Sequence, residues 1–190
     1  MDKPDAVIID LDGTLLNAQH HCSRRNRQAL ERCVCQGIPV IIATSRSPRS
    51  VRRLLGATFL AQYSHVVLTG ALAWAVPPFQ GRYQRPWATP VALHIVDAVR
   101  TRHASARIAV ELDGERFATH EPRDATTLWQ RFAATPDLVT PLEALEASEV
   151  LKVTVDGQDM DLTATGAWIQ ALFGASIMVV PENHGTSSRA

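Results

Sequence analysis

The apolar positions fall in short runs closed by polar or small residues. Ala6-Val7-Ile8-Ile9 is the first of them, and it ends in Asp10-Leu11-Asp12-Gly13. Four consecutive apolar residues predict a strand buried on both faces, central in a parallel sheet. Ser23 is placed to cap a helix reaching about Gln36, with Ala29, Leu30, Cys33 and Val34 on one face and Gly37 at its stop. Ile38-Pro39-Val40-Ile41-Ile42-Ala43 predicts a second strand, and Pro39 sits near its start, where a missing amide costs least. A strand, helix and strand this close together require a right-handed crossover and parallel pairing.

Ser47-Pro48 repeats the helix-start chemistry, and Val51, Leu54, Leu55 and Phe59 supply the apolar stripe behind it. His65-Val66-Val67-Leu68 predicts the third strand, ended by Thr69-Gly70-Ala71. Pro77, Pro78, Gly81 and Pro86 then predict a linker, which divides the chain into residues 1–77 and 78–190.

Beyond it the pattern changes. Thr89-Pro90 opens a helix to about Arg102, and Asp113-Gly114 lies between Ile108 to Leu112 and Glu115 to Thr119 as a hairpin signal. Helices near 125–133 and 162–173 alternate with strands near 150–155 and 176–180. This order predicts an α+β module with an antiparallel sheet.

Charge narrows the partners. Nineteen basic and nineteen acidic residues cancel, which removes the electrostatic footprint of a nucleic-acid or anionic-membrane binder and leaves small molecules or proteins. No apolar run reaches the roughly 18 residues of a membrane span. The polar start Met1-Asp2-Lys3-Pro4-Asp5 is unlike a signal peptide. Cys22, Cys33 and Cys35 are too few for a disulfide framework, so a cytoplasmic location with free thiols is expected.

The candidate chemistry sits where the first strand ends. Ligands of open α/β sheets bind beyond the carboxyl ends of the strands, so Asp10 and Asp12 face a crevice. One carboxylate can act as nucleophile while the other gives and takes a proton. The plainer reading is an Asp-Gly turn with a helix cap. Backbone amides at Gly13 and Thr14 suit a phosphate-like anion. Two carboxylates would repel it, so a divalent cation is needed, and Mg²⁺ works with few carboxylates plus substrate phosphate. Thr44 reads as a phosphate contact or a capping hydroxyl, and Arg46 as a phosphate-edge contact or a surface charge. Lys152, in an apolar strand, reads as packing. Cys33 and Cys35 point to different faces of their helix, so no zinc site is expected with His20, His21 and Cys22.

Asp10-Leu11-Asp12-Gly13-Thr14-Leu15-Leu16 resembles the first motif of the haloacid dehalogenase-like (HAD) superfamily, and Ile41-Ile42-Ala43-Thr44-Ser45-Arg46 resembles its second. The helix from Ser23, the Gly37-Ile38 entry and Thr69-Gly70-Ala71 look like the Cof-type phosphatase subfamily, and Lys152 resembles a lysine often seen in the caps of that subfamily. Ser45 and Thr69 stand where Gly and Asn are usual there. The resemblance implies a Rossmann-like α/β core with parallel strands and an α+β cap domain, over essentially the whole chain. It implies that Asp10 attacks phosphorus to form an aspartyl-phosphate and that Asp12 serves as acid, then base. It places Gly13, Thr44, Ser45 and Arg46 around the phosphoryl group. Magnesium would be held at Asp10, through its carboxylate, and at Asp12, through its backbone carbonyl. The substrate would be a small phosphorylated metabolite, such as a sugar phosphate.

The family's third-motif lysine and fourth-motif acidic loop have no counterpart here; Gly185-Thr186-Ser187-Ser188-Arg189-Ala190 echoes the third with Ser188 at the lysine position. Three expectations follow: a core lacking its C-terminal half, an exposed core edge open to self-association, and a site short of one stabilising cation. Losing one such stabiliser costs about 10²- to 10³-fold in rate. A catalytically impaired phosphate-binding or protein-interaction module is therefore an alternative, and a sugar phosphomutase is another that Asp10 permits.

Overall fold

A computed structural model describes residues 3–121, 124–142, 145, 149–157 and 160–180. The first layer is a five-stranded sheet in sequential order: β1 (Val7–Asp10), β2 (Val40–Ala43), β3 (Ser64–Val67), β4 (Leu72–Ala75) and β5 (Gly81–Gln84). β1, β2 and β3 are parallel, whereas β4 and β5 add antiparallel. The crossovers are α1 (Arg24–Cys35), and α2 (Pro48–Leu55) with a short α3 (Ala57–Leu60). Their starts are the expected ones. Ser23 accepts from the Asn26 amide and Ser47 from the Ser50 amide, each filling an otherwise orphaned helix donor. Leu30, Val51 and Leu55 from these helices close on Val40, Ile42 and Val67 of the sheet.

Two expectations are corrected. β1 is an edge strand: β2 is its only strand partner among the described residues, and Ile8 is 70% exposed. An apolar run reports compatibility with burial, and it cannot say whether a neighbour is present on each side. The proline-rich segment is no linker. Pro77 and Pro78 lie in the connection of a hairpin whose arms pair from Leu72↔Gln84 to Ala75↔Gly81, so residues 78–84 belong to the first sheet, past the division expected after residue 77. Proline and glycine density marks a turn and a linker alike. The core sheet accordingly has five strands among the described residues, not three.

The second layer is a four-stranded sheet ordered β8 (Val139–Thr140), β7 (Phe117–Thr119), β6 (Arg107–Glu111) and β9 (Lys152–Asp156). α4 (Thr89–Arg102) and α6 (Leu162–Phe173) cover one of its faces, where Ile95, Val96 and Val99 meet Ile108, Val110 and Ile169. α5 (Ala125–Phe132) sends Leu128 into a smaller cluster with Phe117. The sheet is mainly antiparallel, as expected, with one parallel pair, β7 and β8. The strand expected at 176–180 does not form; Gly174–Ser176 is a 3-10 turn. The echo at Gly185 to Ala190 lies outside the described residues. No described helix is long and apolar enough to cross a membrane.

Arg49 of α2 joins the layers. Its guanidinium donates to both carboxylate oxygens of Glu111 at 2.8 Å each, to the carbonyls of Glu115 at 2.7 Å and Phe132 at 3.3 Å, and lies over the Phe117 ring. Arg52 pairs with Glu115, and Arg53 donates to the Trp129 carbonyl.

Candidate functional site

The register decides what meets at the sheet's carboxyl end. Asp10 pairs across from Ala43, so the loops carrying Asp12 and Thr44 leave adjacent parallel strands side by side. Gly13 at φ +72° turns the chain in a region that favours glycine. The Leu15 and Leu16 amides then donate back to the carbonyls of Asp10 and Leu11. Leu11, Leu15 and Leu16 are thereby buried while Asp10, Asp12, Gly13 and Thr14 stay exposed. An apolar and polar alternation within one loop presents the two carboxylates outward.

Asp12 is the best-connected of them. Arg46 donates Nε and Nη2 to its two carboxylate oxygens, at 2.7 Å each. His20 Nδ1 lies 3.5 Å from Asp12 Oδ1 and 3.3 Å from Arg46 Nη2. Arg46 also donates to Ser50 Oγ at 3.1 Å. The Arg46 hydrogen bonds, opposed by partial burial, hold the Asp12 carboxyl below its ordinary range. A depressed carboxyl pKa adds stability above the unfolded-state value near about 3.9, and that stability is lost as pH falls through the lower folded value. Arg46→Met is expected to raise the Asp12 titration midpoint, read by carbon NMR of the carboxyl, and to abolish this acid-side dependence. An unmoved midpoint would mean that the pair does not persist in solution.

Thr44 is 8% exposed; its Oγ1 accepts from the Arg46 amide at 3.2 Å, and its amide donates to Val66. The hydroxyl proton can still donate outward. Thr69 sits beneath it, donating its amide to the Thr44 carbonyl at 3.4 Å. Thr69 has φ +57° and ψ +33°, a left-handed conformation that strains a β-branched residue. Its hydroxyl is buried without a hydrogen-bond partner.

The structure therefore brings Asp12, Thr44 and Arg46 together, with Asp10 and Gly13 on the facing turn. Ser45 takes part through its carbonyl, which accepts from Lys152 Nζ of β9 at 3.2 Å. Sequence reasoning missed His20, Ser50 and this reach of Lys152. Ser50 follows Arg46 at a helical spacing, a signal that was there to be used. His20 gave none: it is delivered by a tight loop in which Asn17 Oδ1 accepts from the Gln19 and His21 amides.

No group of three or more His, Cys, Asp and Glu able to hold a metal occurs among the described residues. Asp10 and Asp12 are the two carboxylates that the turn after β1 exposes. That set suits magnesium, which keeps several waters and shares its shell with a substrate phosphate.

A sequence model described as haloacid dehalogenase-like hydrolase matches residues 7–187. A 49-residue stretch is 49% identical to the 5-amino-6-(5-phospho-D-ribitylamino)uracil phosphatase of Bacillus subtilis, covering 26% of this chain and 17% of that protein. A haloacid dehalogenase-like hydrolase from Bacteroides thetaiotaomicron superposes with a TM-score of 0.70 at 20% identity, covering 95% of this chain and 72% of that one. A sugar phosphatase of HAD subclass IIB, BT4131, superposes with a TM-score of 0.65 at 15% identity, covering 88% and 63%. The match spans less than two thirds of that sugar phosphatase.

Proposed function

Because this chain belongs to the haloacid dehalogenase-like hydrolase family, we propose that it hydrolyses small phosphate monoesters, with Asp10 as nucleophile. The observation that carries this reading is the register of β1 and β2, which sets the exposed Asp10 and Asp12 beside Thr44 and Arg46. Asp10 attacks phosphorus, the ester P–O bond breaks, and Asp12 gives its proton to the departing alcohol oxygen. Water then attacks the aspartyl-phosphate as Asp12 takes a proton back, and the bond from phosphorus to Asp10 breaks to release phosphate. Gly13, Thr44, Ser45 and Arg46 orient the phosphoryl group. Asp10 and Asp12 would hold Mg²⁺, which offsets charge between carboxylates and phosphate.

The uracil-derivative phosphatase and the sugar phosphatase to which the chain is similar support a small phosphorylated metabolite as substrate. A cytoplasmic location is part of the same proposal. Hydrolysis of a panel of phosphate monoesters with and without Mg²⁺ tests it, and no turnover of any member with the metal present would reject it. One observation favours a second reading, a phosphate-binding module without turnover: Arg46 grips both oxygens of Asp12 and opposes the protonated form that an acid role needs. Phosphate binding without hydrolysis is its signature.

The edge of β1, unpaired on one side among the described residues, with Ile8 exposed, also supports self-association. A dimer is expected in sedimentation velocity that Ile8→Lys converts to monomer; a wild type that stays monomeric at high concentration would reject it.

A further inference from the structure

We propose that His65 is an acid-sensitive latch: proton uptake by its buried imidazole releases the hairpin of β3 and β4, and with it the turn that braces the Thr44 loop. The inference is independent of the role assigned to Asp10.

His65 lies on β3 and is 1% exposed. Its Nε2 stands 3.0 Å from the Leu60 carbonyl, which can only accept, so Nε2 carries the ring proton and Nδ1 is a bare acceptor. Nδ1 is buried without a hydrogen-bond partner. The ring stacks on Trp74, its partner across the two strands, with centroids 4.6 Å apart and planes inclined by 25°. The imidazole fits this place as a neutral ring, because a second proton would sit on an atom that faces no acceptor.

The surrounding charges reinforce that preference. From α2, Arg52 lines the same small cavity of about 180 Å³ as His65 and Trp74. The register runs from His65 to Trp74 to Arg82, so Arg82 of β5 lies on the same face of the sheet. Of the carboxylates on the facing hairpin, Glu115 is committed to Arg52 and Asp113 to Arg116. On β2 the partner is the apolar Ile42, and α3 has no titratable side chain. Tyr63 stays neutral, its phenol pushed up to about 12 by burial. Burial accordingly holds His65 below the ordinary histidine range, opposed in part by the Leu60 carbonyl.

What the latch holds is strained. The turn between the two strands sets Leu68 at φ +51° and Thr69 at φ +57°, left-handed values that neither side chain favours. Two backbone bonds tie it to the site loop: the Leu68 amide donates to the Arg46 carbonyl at 3.1 Å, and the Thr69 amide to the Thr44 carbonyl at 3.4 Å. A hairpin loosened at His65 and Trp74 lets this turn relax, and both bonds lapse.

An opened hairpin returns His65 to its ordinary affinity for protons. The latch is therefore fully stabilised above about pH 6.5, and that stabilisation is lost as pH falls through the lower folded value. Hydrogen exchange of the Leu68 and Thr69 amides between about pH 8 and 5, corrected for intrinsic rates, reads the opening, and NMR titration of the His65 ring reads the proton. In wild type the opening constant should be flat at the alkaline end and rise below it toward about tenfold per pH unit, the limit for one proton. His65→Gln keeps a donor for Leu60, and His65→Phe keeps a ring on Trp74, but neither can be protonated. Both should be flat throughout. A rise equal to that of wild type in either variant overturns the proposal, as does a His65 midpoint at or above the ordinary histidine value. Should both variants fail to fold, wild type decides alone: opening that tracks the protonation of the ring supports the latch, and opening that stays flat across it overturns the latch.

Discussion

Replacing Arg49 with Met is expected to cost about 3–5 kcal/mol of stability, the loss typical of breaking a buried ion pair from one side. The Arg49 side chain is 2% exposed and that of Glu111 10%, so neither charge has water to fall back on. The guanidinium satisfies both Glu111 oxygens and two carbonyls, and the arginine side chain of the variant is gone while the carboxylate stays. An unpaired buried carboxylate is what the loss measures, more than the value of the pair itself. Pairing Arg49→Met with Glu111→Leu should therefore recover most of the stability, because two apolar side chains of similar size remove both desolvation penalties at once. Urea unfolding followed by Trp fluorescence reads both variants. The clamp joins α2 to β6, so the single variant should also separate the unfolding of the two layers into non-coincident transitions. A cost below about 1 kcal/mol, in the range of an exposed pair, would show that water reaches this pair in solution.

What could be read from the sequence follows from which signals are local. Helix starts were legible because a cap is a one-residue chemistry: Ser23 and Ser47 each accept from the amide three positions on, as their types predict. The parallel pairing of β1 and β2 was legible because a crossover helix leaves no other solution. From that pairing came the meeting of Asp12 with Thr44 and Arg46, more than thirty positions further along the chain. The rest depended on neighbours that no local pattern encodes. Whether Val7 to Asp10 was central or marginal depended on a second partner strand. Pro77 and Pro78 read as a linker because a turn and a linker share their composition. What distinguishes them, the pairing of Leu72-Ala73-Trp74-Ala75 with Gly81-Arg82-Tyr83-Gln84, is non-local. Lys152 read as packing for the same reason: its strand was predicted, but the docking of that strand over Ser45 was not. Thr69 shows a different limit. Its left-handed backbone contradicts the preference of its own side chain, so propensity pointed away from the conformation that the contact with Thr44 imposes.

Under the proposed mechanism, Asp10→Asn should lower phosphate-ester hydrolysis by at least about 10³-fold, since a nucleophile has no substitute in the step it performs. The change is nearly isosteric and Asp10 is exposed, so thermal unfolding should be unaffected and the loss assignable to chemistry. Asp12→Asn should fail differently. With p-nitrophenyl phosphate the leaving group needs no proton, so the first step survives without an acid and releases p-nitrophenolate. The second step still needs a base to activate water, so the enzyme should stall as the aspartyl-phosphate after one equivalent. A rapid-mix measurement separates the two: a stoichiometric burst in Asp12→Asn, no burst in Asp10→Asn. Arg46 bears on the same pair of steps with opposite signs, since holding Asp12 ionised favours the base role and hinders the acid role. Arg46→Met should therefore favour esters with poor leaving groups relative to p-nitrophenyl phosphate. Asp10→Asn retaining activity within tenfold of wild type would remove the nucleophile from the mechanism, and with it the division of labour between the two carboxylates.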